Sequence, residues 1–202
     1  MDKYKNFAEL KKNEDEGKDY IIHYRNSDSE IAVMAPHGGG IEPGTLDLAD
    51  EIAGKNFLFY SFSGIKKTGN SALHIKSTQF DEPAAVEIAN KACTVITLHG
   101  CSNRGEIVYT GGKNSLLRQL ISDRLIDTGF NVKNSKDINI KGINNLNLCN
   151  RCRSGKGVQM EISRGLRQKM FGCNKNFSAV TRSEIFFKFV STVREVLLSA
   201  CK

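Results

Sequence analysis

The chain lacks tryptophan and has only three prolines and four histidines among 202 residues. It contains no run of about 18 apolar residues, which excludes a bilayer-spanning helix. The N-terminal stretch from Met1 to Glu16 is charged throughout, so no conventional secretory signal is expected. No Pro-, Ser- or charge-rich segment separates two foldable halves, so one domain over residues 1–202 is expected. With no leader expected, the six cysteines fit reduced thiols better than a disulfide framework. A cytoplasmic, monomeric protein with no membrane contact is expected. A chain of this length can bury roughly 70% of its unfolded surface, so its core needs no metal or disulfide staple.

Charge is unevenly placed. Residues 1–100 carry 11 Lys/Arg against 15 Asp/Glu and residues 101–202 carry 18 against 7, so the halves stand at −4 and +11. Such asymmetry invites a polyanionic partner. A basic nucleic-acid-binding module is one reading, and it predicts salt-dependent binding that survives metal removal. The Lys/Arg are scattered, and no helix-turn-helix, aromatic-rich sheet motif or zinc finger is visible, so nucleic acid is not the expected partner.

Strand patterns run from Tyr20 to Tyr24, Ile31 to Ala35, Phe57 to Phe62, Cys93 to Leu98, Ile107 to Tyr109 and Val158 to Ile162. Helical spacing follows Pro43 as far as Ile52, opens again at Asp81-Glu82-Pro83, and recurs over Asn114–Thr128, Ser163–Met170 and Ser183–Ala200. Residues 134–157 are Asn- and Gly-rich and read as a long polar loop. The alternation predicts an α/β fold, an open mixed sheet with helices on both faces. Ligands of such sheets collect where loops leave the carboxyl ends of strands.

His37 and His99 share that setting, each closing an apolar strand and followed at once by Gly, in Pro36-His37-Gly38 and Leu98-His99-Gly100. Glu42 follows His37 by five residues, too far for a helical i,i+4 pair, but the intervening glycines let the chain fold back. Two His and a carboxylate with a fourth position open to water make a catalytic zinc site. Glu161, a charge inside an apolar strand pattern, is the candidate general base. Plainer readings stand beside these. A strand-end His can be a hydrogen-bonded core residue, Glu42 can stabilise a helix N-terminus, and Glu161 can pair with Arg164 or Arg167.

Four groups of residues together carry a resemblance. They are His37-Gly38-Gly39-x-Ile41-Glu42-Pro43-Gly44-Thr45; Leu73-His74-Ile75 with Ser77-Thr78 and Phe80-Asp81-Glu82-Pro83; Leu98-His99-Gly100; and Gly157-Val158-Gln159-x-Glu161-x-Ser163-Arg164-Gly165-Leu166-Arg167. In this order, from about residue 20 to 171, the chain resembles the phage-type poly-γ-glutamate hydrolase family. The resemblance implies a zinc hydrolase of carboxypeptidase-like open α/β fold, cutting γ-glutamyl amide bonds of poly-γ-glutamate. It implies one zinc ion on His37, Glu42 and His99, with Glu161 activating the attacking water. It further implies substrate binding by Asn150 and Arg151, by His74, which lies in a strand-like Leu73-His74-Ile75, and by the arginines 164 and 167. Arg suits the task because its planar fork binds a carboxylate bidentately. With no secretory signal, release by host lysis is one route to the polymer. A metallo-deacylase acting on a small acidic N-acyl amino acid would use the same ligands.

Two motifs mislead. Cys149 and Cys152 have C-x-x-C spacing but no second pair to complete a zinc site, and they lie in a polar loop rather than at a helix start. Gly111-Gly112-Lys113-Asn114-Ser115 lacks phosphate-loop spacing and is expected to turn the chain and cap the next helix.

Overall fold

A computed structural model describes residues 2–134, 141–172 and 181–200. Within them lie the strands β1 (Tyr20–Arg25), β2 (Ile31–Gly39), β3 (Leu58–Gly64), β4 (Thr94–Cys101), β5 (Val108–Gly111), β6 (Val132–Asn134) and β7 (Val158–Ser163). The α-helices are α1 (Phe7–Leu10), α2 (Thr45–Ala53), α3 (Pro83–Lys91), α4 (Ser115–Asp127), α5 (Arg164–Met170) and α6 (Glu184–Ala200). The strands form one sheet in the order β1-β3-β2-β4-β7-β5-β6. Its centre, β3-β2-β4-β7, is parallel, while β1 lies antiparallel on β3 and β5 antiparallel on β7. The expected mixed α/β sheet is therefore present.

Period-2 alternation decides which residue enters which core. On β2, Ile31, Val33 and Ala35 face a cluster with Leu48 and Ile52 of α2, Ile121 and Leu125 of α4, and Phe186, Phe189, Val193 and Leu197 of α6. Ala32 and Met34 face the opposite cluster, with Phe7 and Leu10 of α1 and Ile88 of α3. Each fully buried Phe or Leu contributes roughly 1.5–3 kcal/mol relative to exposure. No helix among the described residues is long and apolar enough to cross a membrane.

Local chemistry sets the helix starts. Glu82 caps α3 by accepting from the backbone N–H groups of Ala84 and Ala85, and Asn114 caps α4 by accepting from Leu117 N–H, as the turn reading of Gly111–Ser115 required. Pro43 precedes rather than opens its helix, because Gly44 at φ 92° takes the cap position and α2 starts at Thr45. Two further expectations change. Leu73 closes a one-turn 3-10 helix, Asn70–Leu73, and His74 follows in extended conformation without joining the sheet. Alternating burial of Leu73 and Ile75 resembles a strand in so short a segment. The polar stretch from 134 is not wholly loop: Asn134 ends β6, and a second one-turn helix, Leu148–Arg151, buries Leu148, Cys149 and Asn150. Residues 135–140 of that stretch lie outside the described residues.

Candidate metal centre and cleft

The strands β2 and β4 are parallel neighbours, paired as far as Met34 and Thr97, so the histidines that end them arrive side by side. The register of β2 against β3 shifts between Ala35 and Gly38. There Gly39 takes φ +60°, and a Cβ on it would lie 2.4 Å from the Gly64 carbonyl oxygen. The turn that follows brings Glu42 back under His37, with Glu42 N–H donating to the His37 carbonyl at 2.9 Å.

His37 and His99 are buried, at 1% and 2% exposure, and their Nδ1 atoms stand 3.1 Å apart. His37 Nε2 lies 2.7 Å from the Ile75 carbonyl oxygen, which can only accept, so the ring carries its hydrogen on Nε2 and a lone pair on Nδ1. His99 Nε2 lies 3.4 Å from Ser77 Oγ, which leaves its Nδ1 also turned inward. Glu42 completes the group, with Oε1 3.2 Å from His37 Nδ1 and Oε2 3.6 Å from His99 Nδ1. Gly100 N–H donates to Glu42 Oε2 at 2.9 Å and holds the carboxylate in place. All three ligand atoms lie within 4.8 Å of one another. A tetrahedral zinc ion at ~2.0–2.1 Å from each nitrogen spaces two nitrogens by roughly 3.3 Å, close to what is found. The donor set fits the ion.

The three groups are electrostatically coupled. Burial alone raises the Glu42 pKa, but the His37 and His99 imidazoles overcome it and hold the carboxyl well below the usual range. Burial alone lowers His99, and Glu42 and Glu161 reverse this and raise it. Glu161 lies directly beside His99 in the β4–β7 register and is 7% exposed. Burial pushes its pKa up to about 7, against the pull of His99 and with Glu42 adding to the rise.

These groups open on a cleft of about 750 Å³, lined also by His74, Lys76, Ser102 and Asn144. The His74 ring lies 4.0 Å from that of His37, centre to centre, and its Nδ1 is 3.0 Å from Asp2 Oδ1. Burial, reinforced by His37, lowers the His74 pKa to about 4, so the ring is neutral at neutral pH.

The other residues expected to bind substrate are arranged differently. Asn150, 4% exposed, donates to the Gly142 and Asn144 carbonyls and accepts from the N–H groups of Lys113 and Gly157. Arg151 uses all three side-chain nitrogens on the carbonyls of Leu146, Phe80 and Ser77. Neither lines the cleft. The pair ties loops together in this arrangement. Arg167 likewise donates to the carbonyls of Ile162, Pro43 and Cys101 behind the site, while Arg164 is exposed at the start of α5 and outside the cleft lining. Cys149 and Cys152 are free and buried, and burial raises the Cys149 thiol far above its ordinary range, which makes it inert.

Gln159, Asn147 and Ser77 reach the site although sequence reasoning gave them no role. The available signals were the place of Ser77 among the matching motifs and of Gln159 two positions before Glu161, on the same face of β7.

A family profile described as poly-gamma-glutamate hydrolase matches residues 4–192. The UPF0714 protein YndL of Bacillus subtilis strain 168 is 37% identical over 194 residues, 95% of this chain and 76% of that protein. The SPbeta prophage-derived UPF0714 protein YoqZ of the same strain is 35% identical over 201 residues, 97% of this chain and 72% of that protein. Among solved structures, a bacteriophage poly-gamma-glutamate hydrolase superposes with TM-score 0.95 at 32% identity, covering 99% of this chain and 98% of its own. A zinc-free form of YndL gives TM-score 0.90 at 34% identity, covering 99% of both chains. An N-formylglutamate amidohydrolase from Ralstonia eutropha JMP134, 10% identical with TM-score 0.58 over 91% of this chain and 97% of its own, shares the fold. With the profile spanning nearly its whole length, the chain belongs to the poly-gamma-glutamate hydrolase family.

Proposed function

We propose that this protein hydrolyses the γ-glutamyl amide bonds of poly-γ-glutamate, with one zinc ion held by Nδ1 of His37, Nδ1 of His99 and the Glu42 carboxylate. The observation that carries the reading is the 3.1 Å approach of the two Nδ1 atoms over a carboxylate, with His37 Nε2 already engaged on Ile75. The zinc-free form of the relative YndL supports the choice of ion. Bound there, zinc supplies Lewis acidity, acidifying a water and polarising the scissile carbonyl. Glu161 accepts the proton of the attacking water on its carboxylate and delivers it to the departing α-amino nitrogen as the C–N bond breaks. Burial of Glu161 favours both steps, since a carboxyl near neutrality takes up and returns a proton at comparable cost. Gly100 and Ile75 hold the ligand atoms in place. Lys76, exposed at the cleft, supplies a cation for the free carboxylates of the polymer.

Elemental analysis of the purified protein is expected to give about one zinc per chain. Chelation should stop the loss of viscosity of a poly-γ-glutamate solution, and added zinc should restore it. Glu161→Gln is expected to keep its zinc and lose cleavage by about 100-fold or more. Full turnover by the chelated protein or by Glu161→Gln rejects the mechanism. Release of γ-glutamyl oligomers from the polymer separates this reading from a deacylase of small N-acyl amino acids, which would leave the polymer intact.

A further inference from the structure

Asn147 and Gln159 have no part in the reaction described above, yet both are buried, at 6% and 3% exposure, in the lining of the cleft. They form a hydrogen-bonded chain that ends on Glu161. Cys149 N–H donates to Asn147 Oδ1 at 3.1 Å, Asn147 Nδ2 donates to Gln159 Oε1 at 2.8 Å, and Gln159 Nε2 donates to Glu161 Oε1 at 3.0 Å. The first member settles the direction of the rest. A backbone N–H can only donate, so Asn147 must present its oxygen to Cys149 and its NH2 to Gln159. Gln159 must then present its oxygen to Asn147 and its NH2 to Glu161. Neither amide can flip without setting two like atoms against each other in a buried site. Glu161 Oε1 thus always faces a donor, and a hydrogen placed on it would meet the N–H of Gln159.

We propose that Asn147 and Gln159 are positioning residues for the hydrolytic reaction, orienting Glu161 through Oε1 so that the reacting proton is exchanged at Oε2 alone. The inference rests on the reading of Glu161 as proton acceptor. It accounts for two buried side-chain amides in series where apolar residues would fill the same space, and for the closeness of the loop after residue 140. That loop packs so tightly that a Cβ on Gly142 would lie 2.9 Å from Gln159 Oε1.

Asn147→Asp tests the direction of the chain without touching Glu161 or Gln159. Asp caps a helical turn as well as Asn and still accepts from Cys149 N–H, but it has nothing to donate to Gln159. The Gln159 amide must then turn round and set its oxygen against Glu161. The expected result is a fall in kcat of about 10–100-fold with zinc content unchanged, beside a lower Tm from the opposed oxygens. Gln159→Met should give a similar fall, and Asn147→Asp added to it should cost nothing further, because it acts only through Gln159. Wild-type kcat in both single variants, or losses that multiply in the double variant, overturns the proposal. If Asn147→Asp does not fold, Gln159→Met decides, and a change confined to KM counts against the relay. Glu161→Gln separates the two readings. Retained turnover in that variant removes Glu161 from the mechanism, whereas an inactive Glu161→Gln beside a fully active Gln159→Met removes the relay only.

Discussion

Gly100 meets two demands at once. Its N–H holds Glu42 Oε2, and its missing side chain leaves room for the buried guanidinium of Arg167. A Cβ at this position would lie 2.6 Å from Arg167 Cζ. Arg167 joins the carbonyls of Pro43, Cys101 and Ile162, which bind together the chain after β2 and the ends of β4 and β7. Gly100→Ala is therefore expected to displace Arg167, destabilise the fold by about 1–3 kcal/mol and lower zinc retention. Thermal denaturation with metal analysis would check it, and an unperturbed variant would show that Arg167 can move aside at no cost. At this scale the meeting of His37 and His99 was legible because a His-Gly pair closing an apolar strand is an uncommon combination with a definite place on a sheet. The loop-tying bonds of Asn150 and Arg151 were not, since an arginine that meets a ligand carboxylate and one that satisfies three backbone carbonyls are the same residue in a sequence. The distinction lies in burial and partners, which only tertiary structure supplies.

At the scale of elements, the N-terminal segment and α1 are held to the sheet by packing and one charge cluster. Tyr4, Phe7 and Leu10 are buried with Tyr20 and Phe62, and Glu14, 6% exposed, accepts from Lys66, Tyr4 and Lys3. Burial alone raises the Glu14 pKa, but these three donors outweigh it and lower the value from 4.5 to about 2. A carboxyl with a depressed folded-state pKa contributes fully above its unfolded value, and that contribution is lost as pH falls toward the folded one. Glu14→Gln should thus cost about 2–3 kcal/mol at pH 7, with the gap to wild type closing as the pH is lowered from 4.5 to about 2. Denaturant titrations across that range would measure it, and a gap independent of pH would mean that the charge contributes nothing. The longer helices and core strands could be read from periodicity, because each buries a continuous stripe. The direction of β5 could not, since a hydrophobic pattern is the same in either orientation. Nor could α1, whose four residues are too few to show a period.

Across the whole molecule, the sheet order separates the strands of the two halves, while α6 of the second half crosses back onto α2 of the first, where Arg182 pairs with Asp47 and Glu51. The strands β1, β3, β2 and β4 come from the half with net charge −4 and lie together, while β7, β5 and β6 come from the half with +11 and lie together. The border between them is the β4–β7 pair, which carries His99 and Glu161. A polymer with one free carboxylate per residue is expected to be drawn by the excess Lys and Arg of the second half toward the cleft at this border. Such steering acts over the Debye length, which contracts from ~30 Å at 0.01 M salt to ~8 Å at 0.15 M. On a short γ-glutamyl oligomer, chosen so that expansion of a long polyanion plays no part, kcat/KM is expected to fall by about 10-fold or more over this range while kcat stays constant. An equal fall in both constants would locate the salt effect in the chemistry instead. A kcat/KM indifferent to salt would leave the basic half without a part in substrate capture, and recognition would then depend on the few polar groups of the cleft alone.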